Sequence, residues 1–250
     1  MNNLLELIGI SLNGDMQQLN VISNNLANVN TTGFKRDIAV QMSFEQTVNS
    51  LMTEQRVGEL PLSETDIGEQ TNIKKIIDTQ SGSFKVTGQP FDLAAESDGF
   101  FEVKTDSGVA YTKKGDFSLD SSGRLVTKSG LPVQGLNGEI RLMTDNPRID
   151  SQGKIWEDQN MVAQIKMVDF SRPESLQRGG DGLFYSVSGG KTVASDQIRV
   201  RQGYLESSNV TAMNEMVNLI ETMRHFESGA QLIKNYDEMM GSAIKTLGEF

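Results

Sequence analysis

Apolar residues fall at heptad spacing near both ends of the chain. Leu5, Ile8, Leu12, Leu19, Ile22, Leu26 and Val29 are separated by steps of three and four, with one gap of seven where Asp15 takes the missing place. Such spacing lines them up along one narrow face of a helix. Met216, Leu219, Met223, Phe226, Ala230, Ile233, Asp237, Met240, Ile244 and Leu247 repeat the alternation without a gap, and Asp237 is their one charged member. A stripe this narrow suits a coiled-coil partner better than a broad core. Gly33 is placed as the C′ glycine of the first helix, with Phe34 as the accompanying apolar contact. Asn209 or Thr211 is placed to cap the last.

The middle of the chain has a different texture. Eighteen of the 24 glycines lie between 41 and 210, among short β-branched and aromatic runs. Short apolar runs separated by turn residues predict many short strands. These are expected at 98–103, 111–126, 130–135, 140–143, 149–155 and 162–170, with a hairpin turn at Asp120–Gly123. Residues 45–75 keep no period and contain Gly58 and Pro61, so an extended connector is expected there. The fold class is α+β: N- and C-terminal helices forming a coiled-coil-like inner layer, with a mainly antiparallel β domain between them. The expected segments are an axial helix over 1–36, a connector over 37–75, a β-rich domain over 76–208 and a second axial helix over 209–250.

Composition removes most enzyme chemistry. With no cysteine and only one histidine, His225, the chain lacks thiolate metal sites, cysteine nucleophiles and multi-histidine centres. Its 33 acidic and 23 basic residues give a formal charge of −10, which argues against nucleic acid as a partner. No run of about 18 apolar residues is present to span a bilayer. The first residues carry no basic region ahead of an apolar stretch, so no cleaved signal peptide is expected. Ser188–Thr192 resembles the end of a phosphate loop, but Tyr185 stands where the first glycine belongs. Asp98, Asp106, Asp116 and Asp120 lack calcium-loop spacing and read as turn residues. His225 sits beside the stripe without metal-ligand or nucleophile spacing around it. Trp156 suits either core or contact surface. No catalytic, cofactor or metal site is expected.

What remains positive is association. Isolated amphipathic helices are marginal until packed. Neutral amides at Asn20, Asn24, Asn25, Asn28 and Asn30 suit an interface without the desolvation cost of charges. Methionines at 213, 216, 223, 239 and 240 add adaptable apolar surface.

Three segments carry a specific resemblance. Ser23-Asn-Asn-Leu-Ala-Asn-Val-Asn-Thr-Thr-Gly-Phe-Lys35 resembles the N-terminal signature of bacterial flagellar rod and hook axial proteins. Gly203-Tyr-Leu-Glu-Ser-Ser-Asn-Val210, with Glu215–Ile220 and Arg224-His-Phe-Glu227, resembles the C-terminal signature of the same family. Phe91–Val103, with Tyr111-Thr112 and Gly115–Phe117, resembles the start of its β domain. Within the family, the length and single β domain resemble the rod proteins more than the hook protein. Arg224-His-Phe-Glu227 and Asp181-Gly-Leu-Phe184 are similar to proximal-rod members, while Asn24–Asn28 and Thr32–Lys35 fit distal-rod members as well.

The resemblance implies a non-enzymatic subunit of the basal-body rod, exported by the flagellar type III apparatus and crossing the periplasm as part of a polymer. Implied partners are copies of itself, the lower proximal-rod proteins and the distal-rod protein. A different class, a rod-associated peptidoglycan hydrolase, would need an acidic pair in a cleft. The implied interface comprises Leu19, Ile22, Leu26, Met216, Met223, Phe226 and Ile233 as buried seams. Asn24, Asn25, Asn28 and Asn209 would serve as hydrogen-bonding amides, and Gly33 with Phe34 as the turn out of the inner layer. Glu215, Arg224 and Glu227 would be surface or interface charges.

Overall fold

The computed structural model describes residues 2–41, 73–170, 176–186 and 189–248. The chain forms a mixed structure of two long helices and antiparallel sheet, divided into two compact units. Unit 1 holds residues 1–26, 37–76 and 212–250, and unit 2 holds 27–36 and 77–211. No helix among the described residues is long and apolar enough to cross a membrane.

In unit 1, helix α1 (Asn2–Ala27) faces helix α2 (Ala212–Gly248). The Asn25 amide donates to the Glu215 carboxylate at 3.4 Å, and a Cβ on Gly229 would lie 2.7 Å from Leu12. Residue numbers rise on one helix as they fall on the other, so the pair is antiparallel. Val21, Ile22 and Asn25 are buried on α1. On α2 the inward residues are Glu215, Leu219, Thr222, Phe226, Gly229 and Ile233.

That stripe corrects part of the pattern read from the sequence. A heptad-bearing helix offers two neighbouring stripes that share alternate members. Leu219, Phe226 and Ile233 belong to both, while Met216 and Met223 belong only to the other and remain about half exposed (50% and 48%). Close approach of Leu12 to Gly229, and the Asn25–Glu215 bond, go with the stripe that carries residues 215, 222 and 229.

Helix α1 stops at Ala27, six residues before Gly33, so Gly33 is not its C′ cap. Asn28 ends it by local competition: its carbonyl accepts from the Thr31 amide at 3.1 Å and its side chain accepts from the Thr31 hydroxyl at 3.1 Å. The connector expected across 45–75 lies largely outside the described residues. At its ends, Asp37–Gln41 and Ile73–Ile77 pair as a two-stranded sheet.

Unit 2 is built on a six-stranded sheet in the order Leu176–Arg178, Leu183–Ser186, Gly108–Thr112, Phe100–Thr105, Met167–Asp169, Lys191–Thr192. Strand alternation sends Phe101 and Val103 into one core with Leu125, Val133, Ile155 and Ile165. Phe100 points the other way, edge-on to Phe170 and Phe184 at 5.5 and 5.3 Å. Two short antiparallel pairs close the unit: Leu93–Ala95 with Val200–Gln202, and Phe84–Val86 with Tyr204–Glu206.

The hairpin at Asp120–Gly123 forms as expected. Asp120 Oδ1 accepts from the Ser122 and Arg124 amides at 2.8 and 2.9 Å, and Gly123 supplies the positive φ of 72°. Residues 140–143 carry only the isolated bridge of Arg141 to Arg124, although Ile140 and Leu142 are buried. Trp156 lies outside the core cluster, in a cross-strand row with Arg148 and Met161, and its indole donates to Asp150 at 3.5 Å.

Candidate functional site

The N- and C-terminal signatures meet in unit 2. Residues 27–36 form a strap whose last turn is made at Gly33, where φ is +65°. A Cβ there would lie 2.6 Å from the Lys113 backbone carbon, so glycine is required by both conformation and space. The Gly33 amide donates to the Glu206 carbonyl at 2.8 Å. Phe34 is buried under the Arg178 guanidinium, 4.4 Å from its ring centroid, and Arg178 also donates to the Lys35 carbonyl.

Lys35 is fully buried (0% exposed), as is Glu206 (1%). The Lys35 ammonium donates to Glu206 Oε1 at 2.6 Å, and to the Gln80 and Thr79 carbonyls at 2.7 and 3.3 Å. Glu206 Oε1 also accepts from the Gly82 amide at 2.9 Å. A charge this deep is tolerated because an opposite charge and carbonyls replace its water.

Asn209 completes the clamp. Its side-chain oxygen accepts from the Arg36 amide at 2.7 Å, and its nitrogen donates to the Asp78 and Gln80 carbonyls, each at 3.0 Å. It therefore ties the strap to the chain near 78–80, and its side chain is not a cap on α2.

Sequence reasoning missed Lys35, Glu206 and Arg178 as members of this site. Lys35 and Glu206 lie 171 residues apart, and no periodicity relates them. The available signal was their place in two signatures, Lys35 closing the first and Glu206 lying inside the second.

A second buried cation lies near this pair. Lys113 donates to the Ser97 carbonyl at 2.8 Å and sits 5.2 Å from the Phe100 ring centroid. Burial pushes its ammonium down to about 8; Glu206 works against that shift, and Lys35 reinforces it. Unfolded chain then binds more protons than folded chain between pH 8 and the ordinary lysine value of 10.5. Stability is penalised below pH 8 and rises as pH climbs through that window, by up to about 3 kcal/mol. Burial raises the Tyr111 phenol above 10.0, so ionisation in the unfolded chain opposes further gain above pH 10. Urea midpoints are expected to increase from pH 8 to 10 in wild type and to stay flat in Lys113→Met; an equal rise in both would refute this cause.

The other expected interface residues lie in unit 1. Asn25 is buried: its amide donates to the Asp37 carbonyl at 2.8 Å, and its oxygen accepts from the Asp37 amide at 2.9 Å. Glu215, read as a surface or interface charge, is buried against it. Leu19, Leu26, Phe226 and Ile233 are half-buried and Ile22 is buried. Asn24, Arg224 and Glu227 are exposed and Asn28 is half-buried. His225 is exposed and lines an open polar cleft with Ser11, Asp15, Gln18, Thr222 and Arg224. Outside the stripe of α2 that meets α1, Met213, Met216, Val217, Ile220 and Met223 form an exposed apolar surface three turns long. Among the described residues no group of three or more His, Asp or Glu is arranged to hold a metal.

Unit 2 thus carries the clamped strap, and the helix pair of unit 1 carries an apolar surface beyond the one it uses within the chain. Residues 12–35 match the family model described as flagella basal body rod protein. Residues 94–157 match the flagellar hook protein FlgE/F/G D1 domain, and 201–246 the flagellar basal body rod FlgEFG protein C-terminal. Relatives include the flagellar basal-body rod protein FlgG of Bacillus subtilis (strain 168), 30% identical over 91% of this chain and 92% of that protein. FlgF of Mesorhizobium japonicum is 30% identical over 93% and 92%, and FlgG of Borreliella burgdorferi is 33% identical over 91% and 92%. The chain belongs to the flagellar basal-body rod protein family.

Proposed function

We propose that the chain is a proximal-rod subunit that polymerises through its terminal helices into a helical drive shaft, transmitting torque from motor to hook. The carrying observation is the exposed apolar surface of Met213, Met216, Val217, Ile220 and Met223 on α2, outside the stripe that meets α1. An apolar stripe beyond the one already used within the chain is what a layer of packed helices needs. Copies then join head to tail, because contacts that do not close generate a helix. In this reading the helix pairs form a coiled-coil-like inner layer, and the chain reaches the periplasm through the type III apparatus without a cleaved signal.

Arg224-His-Phe-Glu227 and Asp181-Gly-Leu-Phe184 support the proximal position. Crosslinks to the distal-rod neighbour, but never to the lower rod proteins, would move the subunit to the distal rod. For polymerisation itself, Val217→Asp and Ile220→Asp are expected to abolish sedimentable polymer while leaving the helical circular dichroism unchanged. Polymer forming as readily as from wild type would overturn the reading.

A further inference from the structure

We propose that Met213, Met216 and Met223 form an oxidation site that controls docking of the α2 surface: sulfoxide on them blocks assembly of the free subunit, and its reduction restores assembly. The proposal rests on the rod reading for what this surface does, and adds what regulates it.

Sulfur in this chain is confined to methionine, since cysteine is absent. Over 212–233 of α2, the stripe that meets α1 uses Leu219, Phe226 and Ile233 as its large apolar side chains and no methionine. The methionines of that stretch all lie on the outer surface, with Met213, Met216 and Met223 exposed by 75%, 50% and 48%. Steps of three and seven residues set them along one side of the helix, around Val217 and Ile220. Met167 is the contrast, enclosed at 0% exposure in the core of unit 2. Thioethers open to a small oxidant therefore stand on the docking surface, while the α2 residues that hold α1 carry none.

A peroxide oxidises a thioether by transferring one oxygen atom. The O–O bond breaks, an S–O bond forms, the sulfur gives up two electrons, and the second oxygen leaves as water. The product is a polar side chain whose oxygen seeks a hydrogen-bond donor. On the free subunit, water supplies that donor and the helix pair is untouched. Against an apolar neighbour the oxygen would lose water with no replacement, so docking alone is opposed. Leucine, already used at 219, would give similar apolar area without this response. Methionine makes the same surface switchable, because its sulfoxide is enzymatically reducible. Docked subunits cover their thioethers, so the free subunit is the sensitive form.

The test treats full-length monomer with hydrogen peroxide, quenches with catalase, locates sulfoxide by peptide mass and then measures sedimentable polymer. Sulfoxide is expected at Met213, Met216 and Met223 about tenfold faster than at Met167, with about tenfold less polymer and unchanged helical circular dichroism. Methionine sulfoxide reductases of both stereospecificities are expected to restore polymer. The combined variant Met213→Leu, Met216→Leu, Met223→Leu should polymerise after the same treatment, whereas Met143→Leu with Met161→Leu should remain sensitive. A combined variant as sensitive as wild type overturns the proposal and leaves the rod reading in place. So does wild type that polymerises with all three sulfoxides present, or that loses its helical signal on oxidation. If the combined variant does not polymerise even untreated, the reductases decide, and polymer that fails to return overturns the proposal. Untreated wild type that forms no polymer sinks the rod reading, and the proposal with it.

Discussion

Lys35→Met is expected to destabilise unit 2 by about 3–5 kcal/mol, the range seen when one partner of a buried ion pair is removed. The substitution deletes the ammonium that faces Glu206 at 2.6 Å and takes a donor from the Thr79 and Gln80 carbonyls, of which Gln80 keeps the Asn209 amide. Glu206 Oε2 already has no hydrogen-bond partner among the described residues, so losing Lys35 leaves that carboxylate held by the Gly82 amide alone. Replacing both residues, Lys35→Met with Glu206→Leu, is expected to recover most of the loss. Apolar isosteres dispense with the desolvation of two charges, and the remaining deficit is the Gly82 bond at about 1 kcal/mol. Trp156, the one tryptophan, lies in unit 2 and reports its denaturant unfolding by fluorescence. If the double substitution were as damaging as the single one, the pair would be more than a matched burial of charge.

The second large effect is expected at Gly33. Gly33→Ala forces a side chain into left-handed backbone and sets a Cβ 2.6 Å from the Lys113 carbon and the Lys114 nitrogen, both main chain. Backbone cannot swing aside as a flexible side chain does, so about 3 kcal/mol or more is expected. Combined with Lys35→Met the losses should fall well short of additive, because both act by expelling the same strap. Fluorescence-detected unfolding of the two single variants and the double variant measures this. Full additivity would mean that Gly33 and Lys35 act on separate parts of the unit.

The helices were legible because heptad spacing is a local property. Leu12, Leu19, Ile22 and Leu26 announce a stripe whatever they pack against, and the partner helix does fall on that side. Turn chemistry made the Asp120–Gly123 hairpin legible in the same way, since carboxylate, amides and positive-φ glycine lie within five residues. The alternation at Phe100 and Phe101 permits two cores, but only the neighbouring strands show which core each ring enters.

The site divides along the same line. Asn25, Gly33, Phe34, Asn209 and Glu215 were visible as members of signatures, while their individual tasks were not. Asn209 is of the residue type that caps helices, yet it stands three residues ahead of Ala212 and spends its side chain on Arg36, Asp78 and Gln80. Glu215 has the sequence setting of a surface charge and is buried against Asn25. Both outcomes come from partners distant in the chain.

By itself the sequence determined two stripe-bearing helices, a strand-rich middle, the lack of thiol and multi-histidine chemistry, and three segments characteristic of the family. Each follows from spacing or residue type over a few turns. Tertiary structure alone decided which of two overlapping stripes on α2 meets α1, leaving Met216 and Met223 outside. It also decided that Lys35 closes on Glu206 across 171 residues. Periodicity limits the faces a helix can bury, but the choice among them belongs to the partner; a buried ion pair leaves no periodic trace, because its energy comes from desolvated proximity that exists only once the chain has folded.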